Sequence, residues 1–267
     1  MIQVGVTLSD KEGQMPMDTS TWQFHLKYDL EYTVSNLINR NEQHAEASID
    51  LLKTAGIDFA KHKRSGINPF TFAECLTTSG LVLTEEVQWV CFHGLFDFAY
   101  LLKMLTGEAF LPEDEYLFQD ILRLYFPHIY DVKTMAAPWN DLQGGLSKLC
   151  QKLDIKRIGT QHQAGSDSLI TAAAFFALKQ KYYADKSSSL ENVHNVLFGI
   201  EASDLWDGPF GYVDGFRGYP VGYSPLLGGV LYEGSCKKVP MKQTRKSNRM
   251  EGKFGNGASM CVSAAAN

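Results

Sequence analysis

Apolar and polar positions alternate with period two from Ile2 to Leu8 and again from Thr21 to Tyr28. The turn-rich stretch Ser9-Asp10-Lys11-Glu12-Gly13-Gln14 lies between them, and the pattern predicts an antiparallel hairpin. The period then lengthens. Helices are expected over 46–54, ending before Gly56, and over 70–78, stopped by Gly80. Val87-Gln88-Trp89-Val90-Cys91-Phe92 is rich in β-formers and reads as a strand. A helix over 96–105 ends at Gly107, and an amphipathic one over 113–125 has an acidic first turn and stops at Pro127. A short strand over 128–132 and helices over 146–153 and 167–183 complete the series. Strands alternating with helices after a hairpin imply an α/β fold with a mixed sheet flanked by helices.

The pattern fails after residue 198. Residues 201–267 hold 11 of the 23 glycines, interleaved at first with Phe210, Tyr212, Phe216 and Tyr219, and then a basic run from Lys237 to Lys253. The expected division is a folded domain over 1–198 and a low-complexity, disordered tail over 199–267. Charge follows the same division. The tail has eight Lys or Arg against six Asp or Glu, while residues 1–200 have 17 against 24. The acidic body lacks a basic footprint for nucleic acid, so a polyanion would have to be met locally, through bound cations. The longest apolar run, Leu169 to Leu178, is too short to span a bilayer, and no membrane partner is expected. Five cysteines without a C-x-x-C pair read as free thiols of a reducing compartment, cytoplasm or nucleus.

Three residues can carry chemistry. Asp97 follows the strand that ends near Phe92, where functional carboxylates gather in α/β sheets. It could equally be an acid in a helix first turn, favoured there by the helix dipole. His162 and Asp167 lie five positions apart in Gln161-His162-Gln163-Ala164-Gly165-Ser166-Asp167, where a loop followed by a helix start would turn both into one cleft. Ser166 as an N-cap with Asp167 behind it is the alternative. His93 reads as structural or functional alike. No phosphate-binding G-x-x-x-x-G-K-[ST] loop and no G-x-S-x-G elbow is present.

The segments Ile2–Leu8, Ser20–Phe24, Leu51–Ile57, Thr78–Leu83, Phe92–Leu101, Ile129–Lys133 and Arg157–Leu169 carry a resemblance to a known family. Over residues 1 to about 200 the chain resembles the Caf-type (Pop-type) poly(A) deadenylases, catalytic subunits of the CCR-NOT complex. The resemblance implies a ribonuclease-H-like fold of the DEDD exonuclease class. Four carboxylates there hold two divalent ions, Mg²⁺ or Mn²⁺, which clamp the attacking and leaving oxygens of an in-line displacement. On that scheme Asp97 and Asp167 are metal ligands. His162, together with these two carboxylates, is catalytic and acts as general base or water-orienting group. The implied partners are poly(A) RNA, a Not scaffold subunit and a leucine-rich-repeat Ccr deadenylase. The implied location is cytoplasmic and nuclear.

One part of the pattern is not matched. The family's first, central strand carries an Asp-x-Glu, and the resemblance begins at its second strand. Asp10-Lys11-Glu12 and Asp29-Leu30-Glu31 have the spacing but lie in a turn and past a strand end, and Met17-Asp18-Thr19 lacks the Glu. A gap is therefore expected at the centre of the sheet, with unpaired neighbours. The expected function is 3′-to-5′ poly(A)-specific hydrolysis, impaired in this chain. The alternative is a noncatalytic adaptor bridging the Not scaffold and a second deadenylase.

Overall fold

A computed structural model describes residues 1–28, 46–107, 111–184, 189–200 and 260–266. The chain runs β1 (Gln3–Asp10), β2 (Thr21–His25), α1 (Glu46–Thr54), α2 (Phe59–Ser65), α3 (Pro69–Thr78), β3 (Val87–Cys91), α4 (Leu95–Thr106), α5 (Glu115–Tyr125), β4 (His128–Asp131), α6 (Val132–Ala136), α7 (Leu146–Lys152), α8 (Ala164–Tyr182) and β5 (Met260–Ala266). Three-residue and four-residue 3₁₀ turns follow α6 and α8, at Asn140–Leu142 and Leu190–Val193. The sheet order is β2-β1-β5-β3-β4.

β1 and β2 form the expected antiparallel hairpin, with Val4 opposite Phe24 and Val6 opposite Trp22. β3 and β4 run parallel, Trp89 opposite Ile129 and Cys91 opposite Asp131. The fold class is as expected, and no gap opens at the sheet's centre. β5 lies between β1 and β3, antiparallel to the first from Asp10↔Met260 to Val4↔Ala266 and parallel to the second from Val87↔Met260 to Val90↔Ser263. The expectation of a disordered tail is corrected at residues 260–266, and the rest of that stretch, 201–259, lies outside the described residues. The reason is physical. β1 and β3 are buried on both faces, and their edges would otherwise strand N–H and C=O groups away from water. A short apolar segment with no charge, whatever its position in the chain, can satisfy them.

Two cores sandwich the sheet. Val87, Trp89 and Cys91 of β3 share one with Val4, Val6, Phe98, Leu101, Phe126 and Ile129. Phe126, Trp89 and Phe98 form a mutual aromatic cluster, with the Phe126 ring centroid 5.0 Å from Trp89 and 4.9 Å from Phe98. Val90, pointing the other way, joins Met135, Leu149, Ile170, Phe175 and Leu178. Each such side chain contributes about 1.5–3 kcal/mol by leaving water. The period-two pattern of β1 conceals a second burial. Val4 and Val6 enter the first core, while Gln3, Thr7 and Ser9 are also buried, beneath α8. Gly5 makes this contact possible, because a Cβ there would lie 1.9 Å from the Ala164 carbonyl oxygen.

Helix limits move modestly from those expected. α8 begins at Ala164 rather than 167, and the short helices α2 and α6 carry too little periodicity to be read from sequence. Among the described residues no helix is long and apolar enough to cross a membrane.

Central pairing of β5 is directly testable. Ser263 stands opposite Thr7 on one side and Val90 on the other. Proline cannot donate into a ladder, so Ser263→Pro is expected to lower the urea midpoint, at about 1–3 kcal/mol for each backbone group left unpaired. An unchanged midpoint would place residues 260–266 outside the sheet.

Candidate functional site

Asp97, His162 and Asp167 line one cavity of about 550 Å³ together with Phe92, His93 and Arg157. It opens where the C-terminal end of β3 meets the starts of α4, α7 and α8, the usual place for ligands in α/β sheets. The structure thus brings together the three residues that the sequence singled out. Asp97 and Asp167 do sit in helix first turns, as the simpler alternative had it, and they face the cavity as well. Ser166 is not the N-cap of α8. That position belongs to Gln163, three residues earlier, with φ −104° and ψ 119°.

The start of α8 is held from the sheet. Gln163 makes no capping bond of its own. The orphan N–H groups of Ala164 and Gly165 donate instead to Gln3 Oε1 at 3.3 Å and Gln23 Oε1 at 2.8 Å. Gln3 Nε2 and Gln23 Nε2 both donate to Gln163 Oε1, and Gln163 Nε2 donates to the Ala55 carbonyl. A hydroxyl chain adds to this. Thr21 donates to Thr7, Thr7 to Ser168, and Ser168 to the Gly165 carbonyl. These bonds fix the first turn that carries Asp167 and the loop that carries His162. His162 has φ +63°, a left-handed conformation that costs free energy in a residue bearing a Cβ. His93, on the same cavity wall, has φ +58°.

The other wall is organised by Asp131, fully buried at the end of β4. Its Oδ1 accepts the N–H of His93 at 2.8 Å and of Lys133 at 2.9 Å. Its Oδ2 accepts the N–H of Gly94 and of Phe198, each at 3.1 Å. One carboxylate therefore ties the end of β3, the start of α6 and the segment after the Leu190–Val193 turn.

Two residues that sequence reasoning did not single out shape the electrostatics. Arg157 bonds Asp167 Oδ1 through Nη1 and also reaches Ser166 Oγ and Ser147 Oγ. It places a positive charge directly on one of the two carboxylates, and no spacing rule announces it. Lys148 lines the same cavity. Thiol chemistry is disfavoured nearby. Burial pushes the Cys91 thiol well above its ordinary range, and the Asp131 and Asp97 carboxylates push it further. Burial likewise raises Cys150 to about 11.

A divalent metal pair does not fit the residues described. Among them no three His, Cys, Asp or Glu side chains gather as a ligand set. Asp167 is already bonded to Arg157, and the sequence of β5 contains no Asp or Glu.

Comparison with known proteins locates this cleft within a family. Residues 73–175 match the family described as CAF1 family ribonuclease. Poly(A) ribonuclease pop2 of Schizosaccharomyces pombe is 43% identical over 208 residues, 77% of this chain; the chain spans 58% of that relative's length. Probable CCR4-associated factor 1 homolog 7 of Arabidopsis thaliana is 42% identical over 206 residues, 75% of this chain and 70% of the plant protein. Among solved structures, S. pombe Pop2p in its Mg²⁺- and Mn²⁺-bound form superposes with a TM-score of 0.66 at 43% identity, covering 74% of each chain. Yeast CAF1 co-crystallized with the NOT1 MIF4G domain superposes with a TM-score of 0.61 at 26% identity, again over 74% of each.

Two measurements probe the scaffold of the site. Asp131→Asn keeps the shape but turns an amide toward backbone donors. It is expected to cost about 1.5–3 kcal/mol, the range for hydrogen bonds to a charged group, read as a lower denaturation midpoint. Acid should also destabilise the fold. Partial burial, then the charges of His62 and Lys61, lowers the pKa of His25; burial, then His128 and Arg123, lowers that of His194. Below about pH 6.5 the unfolded chain binds protons that the folded chain does not. Stability is thus complete above that pH and declines as pH falls. Urea midpoints at about pH 7.5 and about pH 5.5 should differ in that direction.

Proposed function

We propose that this chain, which belongs to the CAF1 ribonuclease family, receives the 3′ end of poly(A) RNA in the cleft lined by Asp97, His162 and Asp167, and hydrolyses it weakly. The observation that carries the proposal is the meeting of these three side chains in one cavity, while the central strand beside them, β5, brings no carboxylate. His162 is the group suited to take a proton from an attacking water, since it brings an imidazole nitrogen, a proton acceptor when neutral, to the cavity wall. Asp97 and Asp167 correspond to two of the carboxylates that the family resemblance assigns to divalent metals. Two carboxylates, one already matched by Arg157, do not offset two divalent charges, so no metal-dependent step is assigned to the described residues. The family's Mg²⁺ and Mn²⁺ chemistry would need ligands beyond these.

A second role follows from one comparison. CAF1 in the NOT1 complex superposes on this chain over 74% of its length. We infer a Not scaffold subunit as a partner, with a leucine-rich-repeat Ccr deadenylase as the further member of the assembly. An adaptor role of this kind does not require hydrolysis. Cytoplasm and nucleus are the locations where such an assembly would meet its RNA.

The test compares the 267-residue chain with the S. pombe relative on 5′-labelled oligoadenylate in Mg²⁺ and in Mn²⁺. Loss of metal-based charge stabilisation is worth several kcal/mol. At tenfold for each ~1.4 kcal/mol, the chain should bind the RNA yet shorten it about a thousand-fold more slowly. Rapid shortening that Asp97→Ala abolishes would show a complete active site instead. No binding of RNA would remove the cleft from consideration as its receptor.

A further inference from the structure

His25 at the end of β2 and His62 of α2 face each other, and their partners fix which ring nitrogen carries a hydrogen. His62 is buried, with Nδ1 2.9 Å from the Leu26 carbonyl oxygen. A carbonyl only accepts, so this nitrogen bears the hydrogen, and Nε2 of the neutral ring is left as an acceptor. That acceptor lies 3.1 Å from His25 Nδ1, which donates to it. His25 Nε2 is then an acceptor in turn, and Gln23 Nε2 donates to it at 3.4 Å. The orientation of Gln23 is fixed independently. Its Oε1 accepts the N–H of Gly165 at 2.8 Å, and its other amide hydrogen goes to Gln163 Oε1 at 2.9 Å. Gln3 Nε2, 3.3 Å from His25 Nδ1, donates to Gln163 Oε1 at 3.2 Å. One chain of hydrogen bonds thus runs from the Leu26 carbonyl through two imidazoles and an amide to the first turn of α8.

The chain has no place for a further proton. If His62 takes one, its Nε2 becomes a donor, His25 Nδ1 must accept, and the hydrogen of His25 moves to Nε2. If His25 takes it, Nε2 again bears a hydrogen. In both cases two donors face each other between His25 and Gln23. Turning the Gln23 amide over satisfies His25, but it takes Oε1 from the Gly165 N–H, which has no intrahelical partner. Moving Gln23 away has the same result. His25 is exposed, so the proton can arrive from solvent. Partial burial lowers its pKa, and so do the charges that act on it, His62 and Lys61 of α2. β1 offers it the Gln3 amide, which is uncharged. His25 is therefore neutral near pH 7 and takes its proton only in more acid solution.

We propose that His25 and Gln23 are positioning residues for the cleft, acting through α8. The uncharged imidazole pair holds Gln23 on Gly165 and so fixes the turn that carries Asp167 and the loop that carries His162. One proton on the pair releases them. The consequence for ligand rests on the reading of the cleft as a receptor for RNA, while the hydrogen-bond chain does not.

The experiment follows the His25 Cε1–H and Gly165 amide resonances of the full chain by NMR, from about pH 7.5 to about pH 5. The two are expected to share one midpoint, below about pH 6.5. Hydrogen-exchange protection of Gly165 should fall about fivefold through it, the worth of one neutral hydrogen bond. The Phe98 amide, bonded to the Gly94 carbonyl at the start of α4, should keep its protection, which separates a local release from general acid unfolding. His25→Gln, whose amide oxygen takes the place of Nε2 as acceptor, should make the Gly165 resonance independent of pH. Gln23→Leu should leave His25 titrating and Gly165 unresponsive to it. At about pH 5.5 the wild type should bind 5′-labelled oligoadenylate about fivefold more weakly than His25→Gln, and at about pH 7.5 equally. Charge on His25 acting directly on RNA would have the opposite sign. A Gly165 resonance that does not follow His25, or that titrates alike in His25→Gln, overturns the proposal and leaves the function standing. Equal RNA binding by the two chains at both pH values overturns the positioning role even where Gly165 titrates. No RNA binding at either pH overturns the function, and the Gly165 titration then decides the proposal alone.

Discussion

The buried carboxylate of Asp131 is the constraint on which the ligand-facing half of the molecule depends. A charge with no solvent exposure survives only if hydrogen bonds replace its water, and four backbone N–H groups do so. The replacement also imposes geometry. His93 and Gly94 must turn back toward β4, which sets the start of α4 and hence Asp97. Phe198 is drawn in from a distant stretch of chain. The cavity of Asp97, His162 and Asp167 thus takes the His93 side of its wall from a single anion that does not itself line it.

The opposite wall rests on a different device. A helix over a sheet ordinarily meets apolar side chains, yet α8 meets Gln3, Thr7 and Ser9. Gln3 accepts the N–H of Ala164 at the helix start, where N–H groups lack intrahelical partners, and Thr7 bonds the Ser168 hydroxyl. Gly5 then allows the close contact that brings the donors and acceptors within reach. Asp167 and His162 are positioned by the caps at this terminus, so their placement is a consequence of how the hairpin and helix are joined.

The cleft has an uneven distribution of charge. Asp97 and Asp167 lie near helix N-termini, whose dipoles favour anions, and Arg157 offsets one of them. Farther along, Lys133 and aromatic rings replace carboxylates. The acidic balance of residues 1–200 thus coexists with a local cation at Lys133.

Hydrophobic period together with β-forming residue types was enough to reveal the hairpin, β3, β4 and most of the larger helices. The block from Arg157 to Leu169 and the strand-end position of Asp97 were enough to choose three residues that share a cavity. Tertiary structure decided the rest. Residues 260–266 look featureless in sequence, and they become the central strand because the open edges of β1 and β3 require backbone partners. Arg157 and Asp131 are unremarked charges until folding places them against Asp167 and four N–H groups. Sequence patterns record which face of an element avoids water. They do not record which distant groups must meet to satisfy the polar atoms that burial leaves behind.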